Sequence, residues 1–321
     1  MMHKTGSPGR RFVGGLIRFV FLTGFAFVIL YPVVTLVSKA FMHQQDLYDN
    51  TVLWIPKHLT WENVEFAWKS MDFPVAFKNS MLVVVATALL QTASTMMAGY
   101  AFARFDFPLK KVLFALVLLS IVLPPQIMMV PQYMHFKNFD FLGIIQATTG
   151  KSANLLGSPW PFFILSATGF GIRNGLFIYL FRQAFRAMPR ETEEAALVDG
   201  ANHFRVFTQI MVPNAMGIIA TVLLFSVVWQ WNDTFYSGLF TGNTKMLPQA
   251  FDLFNSYLRD FTGGRAESVI ENISRYDLTD PNVLKLLRNA AVFLIMAPLL
   301  AFYAVLQRFF VEGIERSGLV G

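Results

Sequence analysis

The chain contains no cysteine. Disulfides, thiolate nucleophiles and cysteine-held metals or clusters are therefore excluded, and the redox compartment leaves no mark on the sequence. Charge is scarce as well. Asp, Glu, Lys and Arg make up 14% of the 321 residues, against about 25% in a soluble domain. The five histidines, at 3, 43, 58, 135 and 203, are scattered, so no metal site is expected. No Ser, His and Asp fall in an order that suggests a nucleophilic triad, and no catalytic residue is expected. Two near-motifs also fail. Thr149-Gly150-Lys151-Ser152 ends like a phosphate-binding loop, but Ile145 stands where that loop needs its first glycine. Gly169, Gly171 and Gly175 approach a dinucleotide fingerprint, but the third glycine is one position late and no strand precedes it. Gly171 and Gly175 read better as a small-residue helix face that lets two helices approach closely.

What the chain has in quantity is apolar residue: 55% hydrophobic, with 34 phenylalanines and a mean hydropathy of +0.48. This excludes a disordered chain and argues against a water-soluble one. Stretches free of Asp, Glu, Lys and Arg run over 19–38, 79–103, 112–136, 152–172, 206–232 and 289–307. A membrane-spanning helix needs roughly 20 such residues. The expectation is an all-α integral membrane protein, one domain over 1–321. Its six spans fall at about 12–38, 79–103, 112–134, 159–182, 213–240 and 288–309. The first run follows Arg10 and Arg11, yet it is too long for a signal-peptide core and no small-x-small site follows it, so it reads as a retained helix. The loop at 104–111 carries Arg104, Lys110 and Lys111 against Asp106, and the N-terminal tail carries Lys4, Arg10 and Arg11 without an acid. The positive-inside rule then puts both termini, this loop and 183–212 in the cytoplasm. Loops 39–78, 137–151 and 242–288 fall outside.

The loop between spans four and five has its own pattern. Pro189 suits the first position of a helix, Glu191, Glu193 and Glu194 suit its positive N-terminal end, and Gly200 suits its stop. Asn202 can cap a second short helix carrying Phe204, Phe207 and Ile210, and Pro213 marks the entry to the fifth span. The loop reads as helix–turn–helix. An amphipathic helix resting on lipid is the alternative. Four arginines (182, 186, 190, 205) balance four acids (191, 193, 194, 199), whereas lipid-bound helices are usually basic. Docking to a protein partner fits better.

Glu194-Ala195-Ala196, then Gly200, Ile210 and Pro213, resembles the EAA loop of ABC importer permeases, with Val212 in place of the usual leucine. Ala101-Phe102-Ala103-Arg104-Phe105, Trp229-Gln230-Trp231-Asn232-Asp233 and the tail from Arg308 to Gly321 are similar to the smaller permease of carbohydrate importers of the maltose type. The resemblance implies a bacterial-type cytoplasmic-membrane location and a non-catalytic transmembrane subunit. It also implies a second related permease, an ATPase dimer that holds the ATP and magnesium, and an extracytoplasmic sugar-binding protein. No cofactor is expected on this chain, and no nucleic-acid partner. Glu194, Ala195, Ala196, Asp199, Gly200, Ile210 and Pro213 are then the expected ATPase-coupling residues. The outer loop 242–288 departs from the family by its length, with an added amphipathic stretch around Val269, Ile270 and Ile273.

Pathway candidates follow from polarity and bending. Pro124 and Pro125 should kink the third span, with Gln126 beside them. Arg173 interrupts the fourth span and should face protein or water, or else lie near the outer surface. Trp229, Trp231, Asn232 and Asp233 close the fifth span, where they can contact a sugar or anchor the helix at the interface. The alternative functions are an ABC permease for another solute, such as a peptide or glycerol phosphate, and a stand-alone secondary transporter. The second would need carboxylates inside the spans, and the uninterrupted runs have none.

Overall fold

The computed structural model describes residues 8–52, 54–242, 244–262 and 276–318. Val269, Ile270 and Ile273, Lys4 and the last three residues of the tail lie outside them. The helices in chain order are α1 Pro8–Ala40, α2 Glu62–Ser70, α3 Phe73–Arg104, α4 Lys110–Val122, α5 Met129–Lys137, α6 Ile144–Thr149, α7 Trp160–Ala167 and α8 Asn174–Ala187. They continue with α9 Glu191–Val198, α10 His203–Val206, α11 Val212–Asn214, α12 Met216–Trp231, α13 Phe235–Phe240, α14 Leu247–Thr262 and α15 Pro281–Gly318. Among the described residues there is no sheet, only two isolated antiparallel bridges, Met42 to Leu59 and Phe139 to Ala153. The helices group into two compact units, one from Met1–Met71 with Leu253–Met296 and the other from Asp72–Asp252 with Ala297–Gly321.

In the first unit, the segment after α1 is fastened by the buried Asn63. Its Nδ2 donates to the carbonyls of Ala40 (3.2 Å) and Met42 (2.8 Å), and its Oδ1 accepts from Tyr276 Oη at 3.2 Å. Phe41 packs edge-on against Trp61 and Phe293. The most apolar stretch of α1 is not buried at all within this chain. Phe12, Ile17, Phe21 and Val28 are each more than 60% exposed, a surface that requires lipid or a partner helix.

The second unit is built on α3. Pro74 sits in its first turn, where a missing N–H costs nothing. The helix packs most extensively against α8, whose Phe177, Phe181 and Phe185 form a fully buried stripe at a spacing of one turn. Gly99 makes the approach possible: a β-carbon there would lie 2.5 Å from Phe181 Cβ and 3.0 Å from the Arg182 backbone nitrogen. Gly175 does the same for α8 against α4, where its β-carbon would lie 2.7 Å from the Val117 carbonyl. Of the expected small-residue face, then, Gly175 is a helix contact. Gly171 is not; it lies in the turn before α8, against Ser166.

Among the described residues three helices are long and apolar enough to cross a membrane: Phe12–Ala40, Phe73–Arg104 and Pro281–Val305. Two further candidates are bent pairs, Lys110–Val122 with Pro125–Lys137 at 107°, and His203–Asn214 with Met216–Trp231 at 78°. The expected third span is therefore no single rod. Pro124 is extended, with ψ 135°, and Pro125 opens a short 3-10 turn. The expected fourth span, 159–182, is α7 and α8 separated by a turn in which Gly169 and Arg173 both take positive φ, 82° and 61°. The expected fifth, 213–240, stops at Trp231 and resumes as α13 after Asp233 accepts from the backbone N–H groups of Tyr236 and Ser237.

The coupling-loop candidate and the polar ties behind it

Helix α8 ends at Ala187, and Met188, which precedes Pro189, is extended with ψ 140°. The steric demand of a following proline accounts for that. Arg190 is the N-cap and α9 begins at Glu191, so Pro189 stands before the helix and not at its first position. Glu191, Glu193 and Glu194 occupy the first turn, where the helix dipole favours them. At the other end Ala201 N–H donates to the Ala196 carbonyl (3.0 Å) and Gly200 N–H to the Leu197 carbonyl (3.1 Å), with Gly200 at φ 87°. These are the paired bonds of a Schellman stop, which calls for a residue without a β-carbon. Asn202 Oδ1 accepts from Arg205 N–H at 2.8 Å and caps α10. A five-residue π-turn, Phe207–Met211, and α11 follow, so Pro213 lies at the 78° bend and not at the head of a straight helix.

The loop has an anchored side and an open side. Ala196, Ala201, Phe207 and Ile210 pack on a cluster of Tyr100, Phe177, Phe181, Phe185, Val206 and Met211. Facing away are Glu194, Ala195, Asp199 and Gly200, with Val198 87% and Phe204 73% exposed. An apolar tip with charges around it, held on a rigid base, is what a docking surface needs. The expected coupling residues thus divide. Glu194, Ala195, Asp199, Gly200 and Pro213 are exposed, while Ala196 and Ile210 fasten the loop inward.

Three residues outside that set hold the loop from behind. Arg104, at the end of α3, forms an ion pair with Glu193. The two side chains are only 7% and 12% exposed. Arg104 Nη2 also donates to the Met188 carbonyl at 2.8 Å, and Tyr100 Oη donates to Glu193 Oε2 at 3.2 Å. In the sequence Arg104 appears as a topological charge and as part of the Ala101–Phe105 motif, and Glu193 as a first-turn acid in a charge-balanced loop. Nothing in one sequence measures the distance between positions 104 and 193.

A second polar tie lies further along α3. Gln91, 2% exposed, donates through Nε2 to the Ile172 carbonyl and to Asn174 Oδ1, and its Oε1 accepts from Ser226 Oγ. This joins α3, the turn before α8 and α12. Ser94 Oγ adds a bond to the Ser166 carbonyl at 2.5 Å. Among the pathway candidates, Arg173 and Trp229 meet: the guanidinium lies 5.7 Å from the indole centre. That indole also stacks with Phe177 and Phe225 at 5.5 and 5.4 Å, so it is occupied by packing. Trp231 is buried against Phe77. Asn232 donates to the Val228 carbonyl at 2.8 Å, and Asp233 is engaged by the start of α13. Pro124 and Gln126 lie on the exposed surface of the α4–α5 bend, with Pro125 half-buried.

The family model described as "Binding-protein-dependent transport system inner membrane component" matches residues 92–316. The osmoprotective compounds uptake permease protein GgtD of Synechocystis sp. is 31% identical over 268 residues, 82% of this chain and 77% of that protein. The diacetylchitobiose uptake system permease protein NgcG of Streptomyces coelicolor is 27% identical, over 72% of this chain and 70% of its own. A crystal structure of a bacterial ABC transporter that imports the acidic polysaccharide alginate shares the fold, with a TM-score of 0.71 over 96% of this chain and 100% of its own, at 20% identity. The chain belongs to the inner-membrane permease family of binding-protein-dependent ABC transporters.

Proposed function

We propose that the chain is one of two related permeases in an ATP-driven carbohydrate importer. An ATPase dimer binds on the cytoplasmic side and a sugar-binding protein on the outer side. Spans at about 12–38, 79–103, 112–134, 159–182, 213–240 and 288–309 then cross the bacterial cytoplasmic membrane with both termini inside. The chain itself hydrolyses nothing: ATP and magnesium belong to the ATPase subunits. The observation that carries this reading is the loop 188–214. Its Glu194-Ala195-Ala196 to Gly200 spacing sits on a tip that exposes Val198 and Phe204 and is anchored to α3 and α8. Closure of the ATPase dimer would press on that tip and rearrange the helices behind it. The relatives' names give osmoprotective compounds for one and diacetylchitobiose for the other; the second is a carbohydrate and supports that class, with glycerol phosphate or a peptide as the alternative solute.

The test is affinity purification of the full chain from native membranes in mild detergent, with mass spectrometry of what comes with it. We expect an ATPase subunit and a second permease in stoichiometric amount. A binding protein captured with them, screened by thermal shift against sugars, peptides and glycerol phosphate, decides the solute class. A chain that comes alone, from membranes where other transporter complexes survive, overturns the importer reading.

A further inference from the structure

We propose that Arg104 and Glu193 form the joint through which movement of the loop 188–214 reaches α3. The inference rests on the importer reading and adds the residues that transmit the stroke within this chain. One guanidinium faces the Glu193 carboxylate and donates to the Met188 carbonyl, so it grips the loop on both sides of Pro189. Tyr100, one turn back on α3, holds the second carboxylate oxygen, and its ring packs against Phe105, Phe185 and Phe207. The first half of the loop is thereby fixed to α3 by directional bonds. The second half, from α10 through the π-turn, meets the same region through the apolar contacts of Val206, Phe207, Ile210 and Met211.

Stability alone does not explain the choice of residues. A buried ion pair recovers little beyond its own desolvation, and apolar side chains of similar volume usually serve as well. An apolar cluster is already present beside it. What the pair adds is a link that resists sliding, since a guanidinium and a carboxylate hold each other in one geometry. Glu193 lies on the same short helix as the exposed Val198. A push on the tip therefore arrives at the end of a 32-residue helix whose middle carries Gln91. Arg104 and Glu193 are positioning residues in this scheme, and neither faces the docking surface.

The test uses the complete complex purified through this chain. The sequence lacks cysteine, so Met97→Cys on the exposed face of α3 supplies a single thiol on this chain. Its maleimide labelling is compared with and without magnesium ATP and vanadate. In the otherwise unaltered chain we expect the nucleotide to change the labelling rate. Glu193→Gln, which keeps the shape, should retain the ATPase subunit yet reduce that change about fivefold or more. Arg104→Glu combined with Glu193→Arg should restore at least half of it. A response in Glu193→Gln equal to that of the parent overturns the joint, as does a thiol in the parent that never responds. Loss of the ATPase subunit from Glu193→Gln, with no recovery in the exchanged pair, assigns these residues to structure alone and also overturns it. If no ATPase accompanies the parent chain, the importer reading fails first, and that failure is separate from the others.

Discussion

Among the polar bonds that tie helix α3 to its neighbours, two side-chain hubs use opposite chemistry. At its end, Arg104 and Glu193 are charged. Near its middle, Gln91, Asn174 and Ser226 are neutral, and Gln91 uses its amide on three partners from two other segments. Thirteen residues separate the ties, about 20 Å at roughly 1.5 Å per residue. A charge at mid-span costs about 3 kcal/mol even on the translocon scale, so a hub there must be polar without charge. At the end of a span, headgroups and water lie within reach, and a charged joint becomes affordable. The depth of each tie thus selects its chemistry. The charged tie sits beside the part of the chain expected to receive force, and the neutral one sits where three segments must keep register.

The largest effect is expected from parting α3 from α8 between the two ties. Gly99→Leu should do so, because the new side chain begins 2.5 Å from Phe181 Cβ and meets backbone on its other side. We expect a loss of about 3 kcal/mol, the upper end of the cost of overpacking, read as a fall in the detergent melting temperature of the purified chain. A melting temperature within a degree or so of the parent would show that the helices can separate there without penalty. Gln91→Leu should cost less, about 1–2 kcal/mol, because it leaves the Ile172 carbonyl and two side chains without their partner. Combining it with Ser226→Ala should add little to that loss, since both remove the same bond. Strictly additive losses would mean that Gln91 and Ser226 do not act as one hub.

How much of this is legible in the sequence depends on how local the determinant is. The Schellman stop at Gly200 and the cap at Asn202 are written in adjacent residues, and the structure places both where the residue types suggest. The C-terminal ends of α1 and α3, Ala40 and Arg104, fall within two residues of the ends of the apolar runs 19–38 and 79–103, whereas both helices begin earlier, at Pro8 and Phe73. The break between α7 and α8 is less legible. Its only charge, Arg173, looks like an insertion in a span, and Gly171 reads as a packing glycine although it lies in the turn against Ser166. Pro189 suggests a helix start two residues too early: α9 begins at Glu191, with Arg190 as its N-cap. The two ties on α3 are the least legible. Gln91 is one polar residue in a long apolar run, and Arg104 finds Glu193 only through the packing of α3 on α8. Both depend on pairing across the chain, which composition and periodicity do not encode.

The smallest expected effect comes from a charged pair in the open, and it separates charge as such from charge that is sheltered. In the first unit Asp49 Oδ2 meets Lys57 Nζ, and its other oxygen accepts from Thr51 N–H at 2.9 Å and Thr51 Oγ1 at 2.6 Å. The Lys57 ammonium and the Thr51 donors hold the Asp49 carboxyl well below its ordinary range. A carboxyl with a depressed folded pKa contributes its stabilisation in full above the unfolded value, about 3.9. That contribution fades as the pH falls from there toward the folded value. Protection of the 46–58 backbone against hydrogen exchange should therefore weaken slightly on acidification below about pH 4. At neutral pH, Asp49→Asn should weaken it to a similar degree. Because the pair is exposed, about 1 M salt, where the screening length is about 3 Å, should weaken it too. The Arg104–Glu193 pair lies within the protein and should leave the exchange of 190–198 unmoved by the same salt. Equal salt sensitivity in the two peptides would mean that the joint on α3 is as wet as the surface pair. The reason for assigning it a role beyond surface charge would then be lost.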